Sequence, residues 1–73
     1  MLVNKIHPKK LINSKWTAVN PTNKEKHFLV TEMEFDEDGI AISCSIEAVM
    51  SKRIIAIQWQ DLKDANIWAY GWR

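Results

Sequence analysis

The chain has 73 residues, of which 47% are hydrophobic and 26% charged, and its formal net charge is +1. That length admits one domain with one core, and the single cysteine, Cys44, excludes an internal disulfide as the staple so small a core usually needs. The charge is unevenly placed: residues 1–24 carry five lysines and no acid, whereas residues 25–73 set five bases against nine acids. Such a split points to an acidic or nucleic-acid partner for the first third of the chain.

Residues 1–14 read as an amino-terminal arm. Met1-Leu2-Val3, followed by Asn4 and Lys5, is too short an apolar run for a secretory leader or a membrane span, so a cytoplasmic protein is expected. A lone cysteine on an apolar strand face fits the same reducing compartment. Pro8 suits the first turn of a helix, and Lys9-Lys10-Leu11-Ile12 completes one turn before Asn13 ends it. Leu11 and Ile12 are then expected to pack while Lys9 and Lys10 face water.

Residues 15–59 carry the alternation of antiparallel strands. Lys15 to Val19 is a first strand, with Trp16 and Ala18 on one side and Thr17 and Val19 on the other. Asn20-Pro21-Thr22-Asn23 is a turn or longer loop. His27–Phe35, Ile40–Met50 and Ile54–Trp59 then form a meander, turning at Asp36-Glu37-Asp38-Gly39 and at Lys52-Arg53. With Phe35 opposite Ile40, Met33 meets Ile42, Thr31 meets Cys44 and Leu29 meets Ile46. Beyond the second turn, Met50 meets Ile55, Ala48 meets Ile57 and Ile46 meets Trp59. This register buries Leu29, Met33, Ile42, Cys44, Ile46, Ile57 and Trp59 together, and a one-residue slip brings Glu32, Glu34 or Gln58 inside. An eleven-residue strand spans roughly 36 Å, more than the roughly 29 Å diameter of so small a domain. A bulge or strong coiling must therefore bend it.

Residues 60–73 form a turn and a tryptophan-rich end. Gln60 to Lys63 lacks strand alternation and tucks Leu62 under the sheet. Asp64 can cap a short helical segment reaching Tyr70, with Gly71 in the left-handed position that ends it and Trp72 folded back onto Ile67. A fifth strand over Ile67–Trp72 is the alternative. The predicted fold is mostly β: a small antiparallel sheet of four to five strands, curled or closed as an SH3-like barrel, with short helical turns near both ends. Each of the four tryptophans can bury roughly 200 Å². That is on the order of 5 kcal/mol at about 25 cal/mol per Å², enough for two or three to decide whether the core holds. Trp16 and Trp59 lie in alternating strands and are expected to be scaffold, whereas Trp68 and Trp72 are the candidates for exposure.

The inventory of reactive groups argues against an enzyme. Cys44 falls on the apolar face, where a thiolate is desolvated. His7 and His27 stand in no ligand spacing, and the acidic turn lacks the alternate ligands of a calcium loop. Gly39 and Gly71 are too far apart for a phosphate-cradling loop. No catalytic residue, metal or cofactor is expected. A binding role has more support, because aromatic faces beside cations hold bases, proline rings and acidic groups. The candidate partner-binding residues are Lys9, Lys10, Lys15, Arg53, Trp68, Tyr70 and Trp72.

Ser14-Lys15-Trp16-Thr17-Ala18-Val19, Glu25-Lys26-His27-Phe28, Val30-Thr31, Glu47-Ala48-Val49 and Arg53 resemble the tryptophan-rich family of small uncharacterised bacterial proteins. Trp59 with Leu62, Lys63 and Asp64, then Trp68 and Gly71-Trp72, extends the resemblance over about residues 8–72. It implies a cytoplasmic protein from cyanobacteria or proteobacteria and no assigned activity. The family pattern often has arginine after the third-block tryptophan, where this chain has Gln60, which weakens the argument for a basic patch beside Trp59. The expected function is a small non-enzymatic binding module, acting through an aromatic surface or a sheet edge on a protein partner or on a second copy. The alternative is RNA or single-stranded DNA binding through the amino-terminal lysines and carboxy-terminal aromatics.

Overall fold

The computed structural model describes Asn4 and residues 6–73; the expectation for Lys5 lies outside the described residues. Five antiparallel strands make one sheet: β1 (Lys15–Thr22), β2 (Glu25–Phe35), β3 (Ala41–Ala48), β4 (Ile54–Ile57) and β5 (Trp68–Tyr70), in the order β4-β3-β2-β1-β5. Single 3-10 turns at Pro8–Lys10 and Trp59–Lys63 flank them. Of the two expected architectures, the open curled sheet is the one formed. β4 and β5 are its two edges and do not pair, so the SH3-like barrel is not closed. No helix among the described residues is long and apolar enough to cross a membrane.

Turn chemistry explains where the strands begin and end. Asn23 and Lys24 both take positive φ, 54° and 62°, between Thr22 and Glu25, which face each other. A two-residue hairpin with both central residues left-handed matches strand twist, and asparagine tolerates that region well. The turn therefore lies one step beyond the predicted Asn20–Asn23 loop. Pro21 stays inside β1, in the irregular section between Thr17 and Thr22 where the ladder shifts. At the acidic turn, Asp36 remains part of the hairpin. Its N–H donates to Ile40 O at 2.9 Å, and its Oδ1 accepts from the N–H groups of Asp38 and Ile40 at 2.9 Å each. Gly39 at φ 78° closes the loop.

That extra strand residue corrects the predicted register. Phe35 faces Ala41 rather than Ile40, and Val30, not Leu29, faces Ile46. Two irregularities compensate, one between Val30 and Glu32 and one between Glu34 and Phe35, so Met33 meets Cys44 and neither Glu32 nor Glu34 turns inward. Thr31, expected opposite Cys44, is the spare residue of the first irregularity. Ile42, expected in the core, is the spare residue of the second and is 63% exposed. Across the next turn Ile55 faces Ile46 and Ile57 faces Cys44, because the loop is Val49–Lys52, with Lys52 at φ 63° and Ala48 N–H donating to Arg53 O. This offset of four residues from the predicted pairing preserves the faces while moving the register.

The core is Trp16, Phe28, Val30, Cys44, Ile46 and Ala48 from the sheet, with Leu11, Leu62 and Trp68 closing it. Cys44 and Ile46 are buried as expected, whereas Leu29, Met33, Ile57 and Trp59 are only half-buried. Leu11 packs but Ile12 is exposed, since Asn13 turns left-handed at φ 66° immediately after it. The carboxy-terminal segment is strand, not helix: Asp64 Oδ1 accepts from Asn66 N–H and Asp64 O from Trp68 N–H, a single turn. The chain then pairs Trp68, Ala69 and Tyr70 against Ala18, Thr17 and Trp16.

Candidate functional site: an apolar cleft beside a free strand edge

An unclosed sheet leaves a hollow on its curled face. Ala18, Phe28, Ile46, Ile55, Ile57 and Trp68, one or two from each strand, line a cleft of about 410 Å³. Alternation makes it: each of these side chains is on the core face of its strand, and the missing β4–β5 pairing leaves the space uncovered. Asn20, Thr22 and Asn66 add polar groups around it, and Ile67, half exposed, also lines it.

Glu25 and Arg53 also line this cleft. Glu25 is buried, and both of its oxygens are used. Arg53 Nε donates to Oε2 at 3.1 Å, its Nη2 donates to Oε1, and the Ser51 hydroxyl donates to Oε2. These hydrogen bonds, that from Arg53 first and that from Ser51 second, hold the Glu25 carboxyl at about 2, well below the ordinary carboxylate range. The same pairing raises the Arg53 guanidinium. Arg53, expected as an open contact for a partner, is therefore tied to a carboxylate 28 positions away.

The stability contributed by ionised Glu25 is full above its unfolded pKa and is lost as pH falls toward about 2. Unfolding midpoints in urea should thus show Glu25→Gln less stable than the parent at neutral pH, with the difference shrinking between about pH 4 and pH 2. A difference independent of pH would mean that the pair does not couple to folding.

The seven residues predicted as contacts do not gather on one surface. Lys10 and Tyr70 share a second hollow, of about 400 Å³, with His7 and Leu11. Tyr70 is exposed and meets Trp16 edge-on at 5.1 Å. Lys15 and Trp72 lie on the opposite face of the sheet, with Lys15 Nζ 4.8 Å over the indole. Lys9 reaches the acidic hairpin, its Nζ standing 3.7 Å from where a Cβ on Gly39 would lie. Trp68, a candidate for partial exposure, is buried at 9% and packs edge-on against Phe28 at 5.1 Å. Trp72 is 44% exposed, and it does not fold back onto Ile67. Gly71 at φ 81° carries it over the far face, where Nε1 donates to Phe28 O at 2.9 Å and the ring lies 5.9 Å from that of His27. Trp59 has a cation after all, supplied by Lys63 with Nζ 4.8 Å from the ring centre.

The cleft itself was not anticipated from the sequence. Its one legible signal is Ile54-Ile55-Ala56-Ile57, a strand with no polar residue on either face. Among the described residues no group of three His, Cys, Asp or Glu side chains comes together in metal-binding fashion.

A family model described as "Tryptophan-rich protein (DUF2389)" matches residues 14–73. Neither a curated protein nor a solved structure matches the chain.

Proposed function

The chain belongs to the tryptophan-rich family whose model covers residues 14–73, and from that premise we propose that it is a small, non-enzymatic protein-interaction module of the bacterial cytoplasm. The observation that carries the reading is the apolar cleft bordered by β4, into which Ile55 and Ile57 already point. An extended segment added to β4 would gain main-chain hydrogen bonds and drop alternate side chains into that hollow. The one free cysteine, buried in the core, supports a reducing compartment.

Placing a photo-crosslinking residue at Ile57 in the living cell tests the reading directly. Protein adducts that survive nuclease, and that disappear when Ala18→Arg fills the cleft, are the expected result. Adducts that nuclease removes would transfer the assignment to nucleic acid, with Lys10 and Tyr70 the first residues to examine. No adduct from any position lining the cleft would end the proposal.

A further inference from the structure

The two edges of the sheet are treated differently. At β5, Gly71 N–H donates to Lys15 O and Val19 N–H donates to Ile67 O, so antiparallel alternation turns the main-chain groups of Trp68 and Tyr70 outward. Both outward carbonyls are taken. Trp68 O accepts from Asn4 Nδ2 at 2.8 Å, and Tyr70 O accepts from Arg73 Nε at 3.2 Å. Asn4 is itself held by a 2.7 Å bond from its N–H to Lys63 O and a 2.8 Å bond from Nδ2 to Leu62 O. Asn4 and Arg73 therefore cap this edge.

At β4 the same alternation applies. Ala48 N–H donates to Arg53 O, and Ile55 and Ile57 follow at two-residue intervals opposite Ile46 and Cys44. The main-chain groups of Ile54 and Ala56 consequently face away from β3. The caps that Asn4 and Arg73 supply at β5 have no counterpart here among the described residues. Two common protections of an edge strand are missing too: Ile54-Ile55-Ala56-Ile57, though only four residues long, contains no charge and no proline. Ile54 is 62% exposed.

The charges around this strand say what fits it. Lys52 and Arg53 precede β4, and Asp61, the acid of the following 3-10 turn, comes after it. Arg53 is neutralised by Glu25, which leaves a positive start at Lys52, and the residues after β4, Asp61, Lys63 and Asp64, leave one net negative charge at its end. A strand of that polarity is complementary to itself when antiparallel and repels itself when parallel. Pairing about Ile55 sets Ile54 of each copy against Ala56 of the other, so that both outward-facing residues exchange hydrogen bonds. It also brings Lys52 of each copy toward Asp61 of the other, twice by symmetry. The two Ile55 side chains meet on the cleft side and cover its mouth.

We propose that the β4 edge docks a second copy of this chain, antiparallel through Ile54 and Ala56, joining two five-stranded sheets into one. This rests on the reading of β4 and its cleft as an interaction surface, and it names the occupant.

Sedimentation velocity of the full chain over a range of concentrations is the test. A reversible monomer–dimer equilibrium is expected. Ala56→Pro removes only an outward N–H, and it should weaken association by at least about tenfold, the effect of losing a pair of intermolecular hydrogen bonds. Should that variant fail to fold, the charges supply a second arm. Lys52→Asp and Asp61→Lys should each weaken the dimer, and the double variant should restore it. A dimer indifferent to Ala56→Pro, or single charge variants that the double variant does not rescue, would overturn this docking mode. A chain that stays monomeric while Ile57 still crosslinks to a different protein would overturn the second copy and leave the interaction reading standing. Monomer without any adduct would remove both.

Discussion

Trp16→Ala is expected to remove most of the folding stability. Trp16 is the largest fully buried side chain, at 0% exposure. It sits where β1 is paired on both sides, opposite Phe28 in β2 and Tyr70 in β5. Its indole N–H donates to Ser14 Oγ at 2.8 Å, and the Ser14 hydroxyl donates to Leu11 O, so the ring also anchors the amino-terminal turn. Truncation of a buried tryptophan costs about 3–5 kcal/mol. A domain of this size has a total stability of roughly 4–11 kcal/mol. Urea unfolding followed by circular dichroism should therefore show a variant that is largely unfolded or close to its midpoint without denaturant. A midpoint near that of the parent would show that Trp16 is not the centre of the core.

Trp68→Ala should be nearly as damaging, and Trp72→Ala should not be. Trp68 closes the core against Phe28, edge to face, and forms a wall of the cleft. Its removal costs about 3–5 kcal/mol, the edge-to-face contact with Phe28 included. It also widens the hollow, so partner capture from Ile57 should fall even where the fold survives. Trp72 lies on the far face, nearly half exposed, with one hydrogen bond to Phe28 O. Losing it should cost about 1–3 kcal/mol, from the hydrogen bond and the covered part of the ring. Paired unfolding curves decide the contrast, and the share of acrylamide quenching lost when Trp68 or Trp72 alone is replaced by phenylalanine gives an independent check. Equal costs, or equal quenching, would contradict the placement of the two rings on opposite faces.

The two tryptophans show where sequence reading stops. Both lie outside the predicted meander in similar apolar surroundings, and nothing local distinguishes them. Trp68 is buried because Trp68–Tyr70 pairs with β1, a contact some fifty residues away in sequence. Trp72 escapes because Gly71 reverses the chain onto the other face. Gly71 was legible as a left-handed position; the face to which it directs the chain was not. The same holds for Glu25 and Arg53: Arg53 read as a turn base, and nothing local tied Glu25 to it. Only the approach of Val49–Lys52 to the start of β2 makes them a pair.

What the amino-acid order determined by itself was local. Alternation from Ile40 to Met50 placed Cys44 and Ile46 inside, Gly39 and Asn23 marked positions that the turns could use, and the spacing of the tryptophans identified the family. These follow from period-two side-chain direction and from residue-specific φ preferences, which need no knowledge of the rest of the chain. Tertiary structure decided the register, the closure and the site. Whether a loop has three residues or four is settled by main-chain hydrogen bonds such as Asp36 N–H to Ile40 O. The two irregularities that absorb the resulting slip depend on both strands at once, and one of them leaves the apolar Ile42 in water. Whether β4 and β5 meet depends on the curl summed over five strands, and here they do not. That gap makes the cleft and leaves β4, among the described residues, as the uncapped edge.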